Sequence, residues 1–112
     1  MEYPALVRPE VCRTPIRLVI QEEGIDGDGA PREAFQAELM CNWQDGGGAE
    51  YTPERRWVSI AGRAYFPGDI CPDLPVIAAG YGEIFGARRV ILRGIKARNP
   101  DGTVNYTEVR FG

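Results

Sequence analysis

The sequence predicts an all-β fold: a small, partly open β-barrel of five to seven mostly antiparallel strands with one long inter-strand loop. Three observations carry that prediction. The 14 glycines and 9 prolines recur at intervals along the 112 residues and cut the chain into short segments, as turns do between strands. Inside those segments apolar and polar side chains alternate with the period of a half-buried strand. The sequence Asn99-Pro100-Asp101-Gly102 is a strong hairpin signal, because proline presets φ and Asp-Gly accepts a positive one. The length suits a single domain, residues 1–112, and folding at this size buries roughly two-thirds of the extended chain's surface. A core needs no metal or disulfide staple.

Residues 14–21 form the first predicted strand, with Ile16, Leu18 and Ile20 on one face and Arg17 and Gln21 on the other. Pro15 is tolerable near a strand end. Residues 22–32 read as a turn-rich loop. Residues 35–43 give the clearest alternation, with Phe35, Ala37, Leu39, Cys41 and Trp43 on one face. It outweighs a helix opened by Pro31. Residues 44–53, Gln44-Asp45-Gly46-Gly47-Gly48-Ala49-Glu50-Tyr51-Thr52-Pro53, read as the long loop, mobile at its three glycines. Residues 55–66 resume a strand, with Val58, Ile60, Ala64 and Phe66 inward and Trp57, Ser59, Arg63 and Tyr65 outward. Pro67-Gly68-Asp69 ends it. Pro72 and Pro75 make residues 70–79 irregular or a short edge. Residues 82–85 and 88–97 pair around Gly86-Ala87, and residues 103–111 fold back antiparallel onto 88–97.

The composition excludes much chemistry. The chain has no histidine, hence no Ser-His or Cys-His pair, no imidazole acid–base catalyst and no His-ligated zinc. It has one serine, Ser59, and one lysine, Lys96. Cys12, Cys41 and Cys71 are too far apart for a CxxC zinc pair. Their odd number, without a signal peptide, suggests reduced thiols in a cytosolic product, and Cys41 reads as a core residue. No apolar run approaches membrane-span length. The acidic loop with Glu22, Glu23, Asp26 and Asp28 lacks the third ligand of a calcium loop at Ala30. Gly80, Gly82 and Gly86 miss the dinucleotide spacing. The expectation is a non-enzymatic protein without cofactor or metal.

Charge is uneven along the chain. Residues 1–54 hold 4 basic against 11 acidic residues, a balance of −7, and residues 55–112 hold 9 against 5, a balance of +4. Arg88, Arg89, Arg93, Lys96 and Arg98 make a basic stretch, read with Arg89 and Arg93 on one strand face and Arg88 and Lys96 on the other. Arginine forks suit carboxylates and phosphates. Arg88, Arg89, Arg93 and Arg98 are therefore candidate subunit or partner contacts, with Glu22, Glu23, Asp26 and Asp28 as possible acceptors. Trp57 and Tyr65 form a candidate exposed apolar patch.

Three stretches, Cys41-Asn42-Trp43-Gln44-Asp45, Ala64-Tyr65-Phe66-Pro67-Gly68-Asp69-Ile70 and Lys96-Ala97-Arg98-Asn99-Pro100-Asp101-Gly102-Thr103-Val104-Asn105-Tyr106-Thr107, resemble the minor capsid, or head-closure, proteins of long-tailed bacteriophages and prophages. The resemblance implies a virion protein of the phage neck, made in the host cytoplasm. It would form a homo-oligomeric β-barrel ring between the portal or adaptor and the tail-tube or tail-terminator protein, around genomic DNA. In such proteins a long loop between two barrel strands projects into the channel and holds back DNA; residues 44–53 match its position. Gly46-Gly47-Gly48 departs from the lysine-containing run expected there. Heterologous contacts between complementary surfaces close into rings. The alternatives are a tail-side joining or terminator protein, and a single-stranded nucleic-acid barrel using Trp57, Tyr65 and the arginine strand. In the second, Trp43, Tyr51, Tyr81 and Tyr106 are further stacking candidates.

Overall fold

In the computed structural model, residues 3–25, 31–46, 48–52 and 55–112 are described. Alternation builds the first two strands as the sequence implies. β1 (Thr14–Ile25) buries Ile16, Leu18 and Ile20. β2 (Pro31–Asp45) turns Cys41 into the core and lays Phe35, Leu39 and Trp43 against it. The two pair antiparallel from Thr14↔Cys41 out to Ile25↔Pro31. The predicted loop is therefore shorter than residues 22–32: Glu22 and Glu23 continue β1 into a long hairpin. Asp26 and Asp28 lie outside the described residues.

The remaining barrel strands are β5 (Gly62–Pro67), β6 (Ala79–Ile84), β7 (Ala87–Arg98) and β8 (Val104–Phe111). Between β2 and β5 stand two three-residue strands, β3 (Ala49–Tyr51) and β4 (Trp57–Ser59), paired only with each other. The barrel order is β1-β2-β5-β8-β7-β6, with β6 pairing back onto β1, so six strands close. The sequence predicted a partly open barrel, and two glycines account for the difference. A Cβ at Gly80 would lie 2.1 Å from the Val19 carbonyl oxygen, and one at Gly82 would lie 2.7 Å from the Phe111 ring. The missing side chains let β6 approach β1 and the core, and closure removes the exposed edges an open sheet carries. These glycines serve packing.

The interior holds Ile16, Leu18, Ile20, Cys41, Ala64, Phe66, Ile84, Ile91, Val109 and Phe111. A fully buried Phe or Leu is worth roughly 1.5–3 kcal/mol. At one end Cys71, Leu74 and Ile77, from the irregular segment after β5, join the core. Lys96 ties that segment down: its ammonium donates to Asp69 (3.0 Å) and to the Cys71 (2.9 Å) and Leu74 carbonyls. Towards the other end Trp43 lies over Gly62 and meets Phe111 and Phe85, with centroids 5.7 and 6.2 Å away.

The turns follow sequence chemistry. Phe85 and Gly86 both have positive φ, 51° and 75°, as a type I′ hairpin between β6 and β7 requires. Between β7 and β8 the Gly102 amide donates to the Asn99 carbonyl (2.9 Å) and Gly102 takes φ 91°. Asn105 bonds Asn99 Oδ1 and also holds the N-terminal segment through Pro4 and Leu6. Much of the last resembling stretch therefore has a structural task.

Candidate interaction surface: a hinged hairpin arm on an arginine row

Residues 44–53, read as a mobile loop, are strand at five of their ten positions. Gln44 and Asp45 end β2, and Ala49, Glu50 and Tyr51 are β3; Gly47 and Pro53 lie outside the described residues. The ladder runs on from β2/β5 into β3/β4. Asp45 pairs Gly62, the Gly46 amide donates to Ala61 (2.8 Å), the Ile60 amide donates to Gly48 (3.0 Å), and Ala49 pairs Ser59. The result is one bent hairpin whose outer half is an arm. Its bend falls at Gly46 and Gly48, with φ 66° and 102°. These values suit glycine, which takes a positive φ without strain.

The arm carries an exposed aromatic pair. Trp57 is 72% exposed and Tyr51 53%, and their ring centroids lie 5.2 Å apart. Tyr65 does not belong to this patch. Its ring is half-buried against Tyr106 at 6.2 Å, and burial, then the Glu108 carboxylate, push its phenol pKa up.

The register of three neighbouring strands assembles a feature that no local sequence pattern shows. Arg63 of β5 pairs Arg110 of β8, which pairs Arg93 of β7, so three arginines form a row across the outer face. Glu50 of β3 answers them. It lies 2.9 Å from Arg110 and 3.5 Å from Arg93, and its side chain is 14% exposed. Glu108 holds Arg110 from the other side at 2.8 Å. Burial opposes the Arg110 charge, but the Glu108 and Glu50 hydrogen bonds outweigh it and raise its pKa. Arg63 donates to the Gly46 carbonyl at 3.3 Å, at the bend. Arg110 lies outside the basic stretch read from sequence, and only strand pairing brings it beside Arg93.

That pairing also corrects the faces of β7. Ile91 pairs Phe111 and Arg93 pairs Arg110, so Leu92 is an extra residue, a β-bulge. The bulge reverses the alternation. Arg93 shares the outer face with Arg88, while Arg89 lies on the face of buried Ile91, opposite Gly82. Lys96, expected on the Arg88 face, points instead into the fold. Arg88 bonds Glu83 (2.9 Å) and sits 4.1 Å from the Tyr81 ring centre. Arg17 reaches the same carboxylate at 3.6 Å. The Arg88 hydrogen bond is the main reason the Glu83 carboxyl titrates below its ordinary range. Arg98 donates to the Gly102 carbonyl, closing its own hairpin.

The three cysteines are buried and unpaired. Burial pushes the Cys12 and Cys71 thiols up and Cys41 up to about 12, the reverse of what a nucleophilic or metal-binding thiolate needs. Among the described residues no three His, Cys, Asp or Glu side chains are grouped to hold a metal ion.

Fold and surface together define a class: a small closed β-barrel bearing a hairpin arm bent at glycines and fastened to an arginine row by one glutamate. No protein-family model matches the chain, and no curated protein matches it.

Proposed function

We propose that the protein is a non-enzymatic component of a tailed-phage neck, the head-closure ring that joins the portal or adaptor to the tail and retains packaged DNA. The observation that carries this reading is the arm. It is interposed between barrel strands β2 and β5, where the resemblance expects the channel loop, and it presents Trp57 and Tyr51 to solvent. Exposed aromatic pairs typify surfaces that become covered by a partner. The six-stranded closed barrel is the body from which they project.

Negative-stain images of the purified protein, alone and with purified portal, test the reading. Rings that seat on the portal are expected. Protein that stays monomeric and binds neither portal nor tail overturns it. Salt-dependent quenching of Trp57 by an oligonucleotide, in the absence of rings, would instead favour the nucleic-acid barrel.

A further inference from the structure

We propose that the arm is exchangeable between copies, so that the arginine row of one chain receives Glu50 from the arm of a neighbour. The inference rests on the self-association in the reading above and names the contact that makes it. Three observations carry it. First, ion pairs from Glu50 to Arg93 and Arg110 fasten the arm to the barrel. Beside them the arm is held off the body by a cleft of about 460 Å³, lined by Tyr51 and Thr52 on one side and Pro75, Val76 and Leu92 on the other. Second, no side-chain packing holds the bend: a Cβ at Gly46 or Gly48 would meet nothing within 4 Å, so a few hydrogen bonds fix it, the ladder bonds to Ala61 and Ile60 and that of Arg63 to Gly46. Third, the closed chain leaves apolar surface on both sides of the cleft, with Tyr51 and Trp57 on the arm and Val76 on the body all exposed. An arm that reaches a second copy makes the same ion pairs there. It can also set its aromatic pair against apolar surface that closure in one chain leaves uncovered. A contact of one chain's arm with the next chain's row is heterologous, and repeated it closes a ring or runs on.

Charge reversal separates exchange from a purely internal latch. Glu50→Arg reverses the arm, and Arg93→Glu with Arg110→Glu reverses the row. Each variant alone has lost its pairing in every arrangement, and each is expected to sediment as a monomer. An equimolar mixture restores both pairings, but only between chains, and is expected to sediment at about twice the monomer mass or more. A chain carrying all three changes regains its internal pairing and behaves as the wild type. Because Arg110→Glu faces Glu108, circular dichroism checks its fold, and Arg93→Glu with Arg110→Ala, which removes both cations that hold Glu50 without adding a charge beside Glu108, serves as a second row variant. A mixture that remains monomeric overturns the proposal, as does a complex formed by either variant alone. Rings of wild-type protein beside a monomeric mixture would sink exchange and leave the neck reading standing. A complex in the mixture, without rings or portal binding by the wild type, would do the reverse.

Discussion

Lys96 shows how one residue can be misjudged from its neighbours in sequence. Surrounded by arginines it reads as part of a solvated basic stretch, yet its side chain is 7% exposed and its ammonium joins Asp69 to two loop carbonyls. Lys96→Met keeps the volume and removes the charge, leaving those acceptors without their donor. Removing one partner of a buried pair costs roughly 3–5 kcal/mol, so the urea midpoint should fall sharply; an unchanged midpoint would show that solvent satisfies the loop. The thiols set the alkaline limit. In the folded chain Cys41 ionises only near 12 because it is desolvated, whereas in the unfolded chain it does so near 9.0. Between those values the unfolded state has released a proton that the folded state retains, so stability falls as pH rises from about 9 to about 12 and is intact below 9. Cys12, Cys71 and Tyr65 shift in the same direction. Thermal midpoints measured across that window should decline, and Cys41→Ala should flatten the decline whatever it does to the midpoint at neutral pH.

At the scale of elements, the arm depends on backbone conformation rather than packing. Gly46→Ala and Gly48→Ala meet no steric obstacle, so each should cost only the left-handed penalty of about 1–2 kcal/mol. That penalty should loosen the arm before the barrel, lowering Trp57 fluorescence anisotropy while far-ultraviolet dichroism holds; loss of both signals together would mean that arm and barrel unfold as one unit. The same residues explain what could be read in advance. The inner faces of β1 and β2 were legible because Ile16, Leu18 and Ile20, and Leu39 and Cys41, fall two residues apart, although Val19 on the opposite face of β1 is buried as well. The turn at Asn99–Gly102 was legible because its chemistry is local. The bulge at Leu92 was not, since an extra residue in β7 is defined only against β8, and it exchanges the faces of Arg93 and Lys96. Barrel closure was not legible either: Gly80 and Gly82 show in sequence only a failed dinucleotide spacing until a neighbouring strand is placed against them. The arginine row has no linear signature at all, its members being 30 and 17 residues apart along the chain.

For the whole molecule, the −7 and +4 halves of the sequence interleave in space. Arg17 of the acidic half meets Glu83 of the basic half, and Glu50 meets Arg93 and Arg110. Along the outer face Glu38, Arg17, Glu83 and Arg88 alternate in sign across four paired strands. Sequence-level segregation therefore leaves no simple acidic and basic face among these residues, and any charge-driven assembly must act through particular side chains. Arg88 and Arg89 are the pair to reverse. Arg88 is largely exposed and its bond to Glu83 lies at the surface, where an ion pair is worth about 0–1 kcal/mol. Arg89 stands opposite Gly82 two residues past the turn. Arg88→Glu with Arg89→Glu removes two units of charge at each position, taking the net charge from −3 to −7. It should lower the thermal midpoint, because Arg89 is half-buried on the face of Ile91 and Arg88 pairs Glu83, yet leave a folded monomer by circular dichroism and abolish ring formation. Salt should weaken wild-type assembly in the same sense, as screening shortens the reach of exposed charges to about 8 Å at physiological strength. Light scattering of variant and wild type at matched concentration decides the point: a variant that assembles unchanged removes Arg88 and Arg89 from the subunit contact and leaves the Glu50 arm to carry it.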